Sequence, residues 1–206
     1  MMEMKTRALL APIAIAAILG GSAAHAQTGP RDFRFALDLG VTGGGDKLAT
    51  VTFSDGSTQS VRAGGLLQVG AGFLWQPADG PVALQATFNY HVDDVSARNG
   101  TLRYSRYPVE VLGFFTGLPN WRFGAGPRFV FNPELKVDVP GENSTVRFED
   151  TIGAVVEAGY RFGGSLWANL RLTAEKYKVK SINGTSVTAT SNVSGNSIGT
   201  NIVFYF

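Results

Sequence analysis

Ten charged residues stand where they can act on one another: Arg34, Asp38, Arg106, Glu110, Arg122, Arg128, Glu157, Arg161, Arg171 and Glu175. Each lies on the polar side of a segment whose residues alternate between polar and apolar, so each projects with its polar neighbours. Enclosed together, these groups have two chemistries open to them. They can pair, because an unpaired charge removed from water is costly, and so form a salt-bridge and hydrogen-bond network. Or they can leave a gap and line a narrow polar path for small solutes. Neither needs a cofactor, and none is expected.

Other candidate chemistry is thinner. His91 is the one histidine that remains once the leader described below is removed. A catalytic histidine needs a nucleophile and an orienting acid within reach. Two residues on stands Asp93, not a serine, and His91 lies on the polar face, so it reads as a rim hydrogen-bonder. Asp46, Asp55, Asp93, Asp94, Asp138 and Glu142 are scattered without EF-hand spacing and read as solvated loop acids. Gly43-Gly44-Gly45 is not followed by Gly-Lys-Ser/Thr, so it marks a bend rather than a phosphate loop. No catalytic or metal-binding residue is assigned.

The elements that must position the charged residues are strands. Segments 33–42, 66–75, 82–92, 102–115, 121–131, 148–162, 166–177 and 197–206 all alternate. In the second, Leu67, Val69, Ala71, Phe73 and Trp75 oppose Gln68, Gly70 and Gly72. Pro108 sits inside the fourth, where its missing N–H predicts a bulge or a lost ladder bond. The connections at 76–81, 117–120 and 163–165 are short. Those at 93–100, 132–146 and 178–196 read as longer polar loops, and the first loop holds an Asp55-Gly56 hairpin turn flanked by 48–53 and 58–62. Short turns alternating with long loops around an even number of strands predict an eight-stranded antiparallel up-and-down transmembrane β-barrel.

A soluble barrel or sandwich with the apolar face inside would alternate equally well. The aromatic residues favour the membrane. Phe33, Trp75, Phe115, Trp121, Phe162 and Phe206 gather at one end, and Tyr90, Tyr107 and Phe131 towards the other, as two interfacial girdles. The opposite face carries Gly40, Gly70, Gly72, Gly124, Gly126, Gly153, Gly159 and Gly199. An eight-stranded barrel is just wide enough for its own side chains, so long arginines inside it need such small neighbours.

Composition agrees. The chain has 26 glycines, 17% charged residues and no cysteine, which fits a turn-rich β protein and excludes disulfides, thiolate metal sites and a cysteine nucleophile. A net charge of +2 gives no electrostatic case for nucleic acid. Residues 1–26 have the build of a secretory signal peptide: Lys5 and Arg7, an apolar run from Ala8 to Leu19, and Ala24-His25-Ala26 as the cleavage site. The barrel domain is then expected over 27–206.

The last segment, SIGTNIVFYF, alternates strictly and ends on Phe206. An apolar strand left as an open edge would pair with other chains, whereas closure of a barrel removes the edge. With the strand count and the terminal aromatic, the chain resembles the small eight-stranded bacterial outer-membrane barrels of the OmpA membrane-domain and OmpX type. The resemblance implies export to the outer membrane, contact with outer-membrane lipid and lipopolysaccharide, and engagement of the barrel-assembly machinery through Phe206. It also implies loops offered to an extracellular ligand or surface, for which the first-loop hairpin with Val51, Phe53 and Val61 would supply a strand edge. Lipid A deacylases of this barrel type use a lipid-facing His and Ser two residues apart, a pattern from which His91 departs. The expected function is a structural or interaction barrel that is not an enzyme, with a narrow pore as the alternative and a lipid A-modifying enzyme as the second.

Overall fold

A computed structural model of the chain describes residues 33–52, 56, 58–77, 80–97 and 100–206. The leader, Phe53 and Asp55 lie outside these residues. Eight strands make the barrel: β1 Phe33–Gly44, β2 Leu66–Trp75, β3 Val82–Ala97, β4 Gly100–Leu118, β5 Trp121–Val139, β6 Thr151–Gly163, β7 Leu166–Ala174 and β8 Ser197–Tyr205. Each pairs antiparallel with the next, and β8 pairs back onto β1 with Tyr205 opposite Ala36. The Phe206 N–H donates to the Phe35 carbonyl at 2.9 Å and completes the closure.

The polar and apolar faces segregate as a two-residue period demands. Phe35, Leu37, Leu39, Val69, Phe73, Leu84, Phe88, Val156, Leu170 and Ile202 are exposed on the outside, while Arg106, Arg122, Arg128, Arg171, Glu110, Glu157 and Glu175 are buried inside. The aromatics of the lower rim form edge contacts, Trp121 with Tyr160 at 5.0 Å and Phe204 with Phe206 at 4.7 Å between ring centroids. A closed antiparallel barrel that is apolar outside and charged inside has the build of a transmembrane β-barrel.

Two of the long loops expected from the sequence are strand instead. The segment read as the loop 93–100 continues β3 to Ala97 and starts β4 at Gly100. The segment 132–146 continues β5 to Val139, turns at 140–141 and returns as the strand Glu142–Phe148. Phe148 therefore belongs to this hairpin and not to β6. Val179–Ile182 joins the hairpin's far edge, so this side of the barrel rises as a sheet. In the first connection, Lys47–Thr52 pairs with Thr58–Arg62 as expected.

Two irregularities shape the tall strands. At Pro108 the β3–β4 ladder has a gap between the pairs Phe88–Val109 and His91–Arg106, as a residue without an N–H requires. The Asn89 side chain donates to the Pro108 carbonyl at 3.4 Å inside that gap. Across β4 and β5 the register shifts: Tyr107 is opposite Phe131 but Ser105 is opposite Glu134. The extra residue is accommodated at Asn132, which has a φ of 49° and whose N–H donates to Asp150 Oδ1 at 2.8 Å. Asparagine tolerates this left-handed conformation better than most residues. The bulge reverses the alternation, so Leu135 points inward although Phe131 points outward.

Candidate functional site

The interior is filled in three layers. The middle layer is charged. Glu110 on β4 and Arg128 on β5 are directly opposed across the ladder, as are Glu157 on β6 and Arg171 on β7. Arg128 reaches Glu175 through Nε at 2.9 Å, Gln68 Oε1 at 3.1 Å, and Glu110. Arg171 donates to the other oxygen of Glu110 at 2.6 Å and lies 3.3 Å from Glu157. Arg106 lies 3.6 Å from Glu175. Glu110 is thus held by two arginines, and Glu175 lies between two. The three arginines and three glutamates of this layer balance in charge, which is the condition for keeping them out of water.

His91 joins this layer, and its hydrogen bonds fix its tautomer. Arg128 Nη2 lies 2.9 Å from Nδ1 and can only donate, so Nδ1 accepts. Nε2 then carries the proton and donates to Thr42 Oγ1 at 2.9 Å. Thr42 in turn donates to the Gly64 carbonyl at 2.7 Å. The 3.3 Å approach of Arg106 Nη2 to Nε2 is then a packing contact between two donors. His91 is the hydrogen-bonder expected, but it is a fully enclosed one and not a rim residue.

Glycines make the room. Gly70 stands directly across from Asp38, Gly124 from Glu157, Gly153 from Arg128, Gly159 from Arg122 and Gly199 from Arg171. A Cβ on Gly159 would sit 2.9 Å from Arg122 Nε.

Below the charged layer, towards the chain termini, Arg122 is enclosed by aromatic rings: Phe114 at 4.4 Å, Trp167 at 4.6 Å and Tyr205 at 5.4 Å from its guanidinium carbon. Its Nε and Nη2 donate to Asn169 Oδ1 at 3.1 and 2.9 Å, and Nη1 donates to the Tyr205 hydroxyl, which donates to Gln85. A guanidinium over aromatic faces is attracted by their electron-rich centres and needs no carboxylate beside it. Leu74, Ala83 and Leu112 pack around this group.

Above the charged layer lies an apolar cap. Tyr104, Phe148 and Tyr177 meet edge to face, with centroids 5.7 to 6.1 Å apart. Val61, Val95, Leu102 and Leu135 complete it. Val61, expected to serve an exposed strand edge, is fully buried here and faces the cap.

Of the ten charged residues singled out in the sequence, the structure joins Arg106, Glu110, Arg128, Glu157, Arg171 and Glu175 in one ion-paired cluster. Arg122 stands apart in its aromatic cage. Asp38 is buried and accepts a hydrogen bond from Asn201. The other two stand at the mouth of the lumen, each with its guanidinium against an inward-facing ring, Arg34 at 5.4 Å from Tyr205 and Arg161 at 5.9 Å from Trp167. Arg34 is half-buried at the mouth, where it donates to Gln76 at 2.6 Å. Arg161 is exposed and bonds Asn120 Oδ1 at 3.1 Å. Both sit within two residues of a strand end, where alternation still assigns a side but the wall no longer encloses it. Gln68, Thr42, Gln85, Asn169 and Tyr205 complete the interior. The signal for them was the same parity that marked the charged residues.

A second polar site lies outside the barrel, on the raised sheet. Glu134 binds Lys136 Nζ at 3.0 Å and Arg147 Nε at 2.8 Å. Partial burial raises the Glu134 pKa, and the two cations outweigh it, so the carboxyl sits below its ordinary value. With Tyr107, Asn132, Asp150 and Lys180 these residues line a pocket of about 480 Å³.

The class defined by the fold is the small, eight-stranded transmembrane β-barrel. The sequence matches no family model and no curated protein. Among solved structures, the crystal structure of Neisserial surface protein A is similar at 10% identity with a TM-score of 0.48, over 84% of this chain and 97% of that one. The outer membrane protein AlkL, solved by solid-state NMR in DMPC bilayers, is similar at 12% identity and a TM-score of 0.44, over 90% and 96%. OmpT of Vibrio cholerae is similar at 14% identity and a TM-score of 0.31, over 85% of this chain and 52% of its own. The barrel assignment rests on the strand ladders and not on these likenesses.

Proposed function

We propose that the protein is a bacterial outer-membrane barrel whose lumen is closed and which acts through the surface it raises above the membrane. The observation that carries this reading is the layered interior. A solute would have to pass a caged arginine, a charge-balanced ion cluster and an apolar cap in succession. The apolar exterior and the signal-like leader support export and membrane insertion. The filled lumen speaks against a solute pore. Both ring nitrogens of His91 are occupied inside the barrel, which removes it from lipid-face chemistry.

Single-channel recording on the refolded mature protein in a planar bilayer tests this. Folding is verified by a heat-dependent gel shift. A silent membrane is the expected result. Steady small conductance steps would mean that the ion cluster lines a path, and the pore reading would replace this one.

A further inference from the structure

The outward residues of β7, and of the chain that continues past it, run from apolar to cationic. Leu170, Leu172 and Ala174 are exposed, and the same two-residue period continues through Lys176, Lys178 and Lys180, all exposed. Apolar residues followed by lysines on one outward face mark the level at which hydrocarbon gives way to headgroups. The pocket lined by Lys136, Arg147 and Lys180 lies at this level, and the lipid-facing ring of Tyr107 forms part of its wall.

Its charges are arranged rather than scattered. Glu134 lies between Lys136 and Arg147 and holds both, yet Arg147 uses only Nε in that contact and retains its Nη donors. Asp150 has an oxygen committed to the Asn132 N–H of the β5 bulge. Three cations and two acids line the pocket, so it keeps one net positive charge beside a space of about 480 Å³, large enough for a headgroup. A phosphate is the anion that this set matches. Arginine presents paired donors to its oxygens, and lysine adds a point charge.

We propose that this pocket binds the phosphate of an anionic lipid, whose acyl chains lie against the exposed leucines and aromatics beneath it. The proposal rests on the membrane reading above. The apolar band below the pocket favours a lipid over free phosphate, since a soluble anion would gain nothing from it.

The test uses the mature protein folded into vesicles of phosphatidylcholine containing a minor fraction of lipid A as the phosphorylated probe. Lipid retained after mild detergent extraction is counted by native mass spectrometry. Wild type should retain lipid A over phosphatidylcholine. The variant Lys136→Gln/Arg147→Gln/Lys180→Gln should lose on the order of a hundredfold of that preference, since about fivefold per surface cation near anionic lipid compounds over three cations. Lys47→Gln/Arg62→Gln, which removes cations from the first hairpin, should retain lipid A as wild type does. Equal retention by the pocket variant and wild type would overturn the lipid site while leaving the membrane reading intact. Full competition by inorganic phosphate would overturn the lipid source in favour of a free anion. Failure of wild type to insert at all would remove the membrane reading and this proposal with it.

Discussion

At the scale of single residues, the interior ranks its charges. Glu110 is held by Arg128 and by Arg171 at 2.6 Å, one arginine on each oxygen. Glu157 meets Arg171 only at 3.3 Å and has an oxygen without a hydrogen-bond partner among the described residues. Removing one member of a buried ion pair costs about 3–5 kcal/mol, because the charge left behind is neither paired nor solvated. Glu110→Ala should therefore destabilise the folded barrel by about that much, and Glu157→Ala by clearly less. Denaturant unfolding in lipid vesicles, followed by tryptophan fluorescence, measures both. Equal losses would show that the hydrogen-bond geometry does not set the order. From the sequence these two glutamates are equivalent, since alternation reports the side of a strand and not which guanidinium lies across it.

At the scale of elements, one residue decides what the outer third of the barrel looks like. The bulge at Asn132 sends Leu135 into the cap and keeps Glu134 and Lys136 outside. Asn132→Val puts a β-branched side chain where φ is 49°, at a cost of about 1–3 kcal/mol. Asn132→Gly should be tolerated. The expected result is a β5 tip that exchanges its amide hydrogens faster in the valine variant alone, measured by mass spectrometry. Uniform exchange would mean that the bulge is held by the hairpin beyond it. This is also where sequence reading stopped. The eight strands and their inward faces were legible because a two-residue period over nine or more positions is hard to mimic. The register shift at Asn132 breaks that period, and the polar residues beyond it read as loop. The rim cations Lys136 and Arg147 were missed for the same reason, since they lie beyond the shift, and Lys180 was missed because it falls in a segment that reads as loop although it keeps the period of β7. Arg34 and Arg161 lie on the side that parity assigns, but at the mouth, where the wall no longer encloses them.

At the scale of the whole molecule, the lumen and the exterior are two products of one alternation, and β8 joins them. Its outward residues Ile198, Ile202 and Phe204 continue the apolar belt. Its inward residue Tyr205 ties β8 to β3 through Gln85 and to β5 through Arg122. The ladder that closes the barrel pairs Ala36 with Tyr205, positions near opposite ends of the described residues. Contacts so distant in sequence carry a large loop-closure entropy and form late. With the lumen closed as proposed above, sealing the mouth and completing the wall are a single event, and the last residues to join act as the stopper. Folding into dye-loaded vesicles should show leakage ending together with the appearance of the heat-shifted form. Leakage that outlasts that form would separate the stopper from the wall.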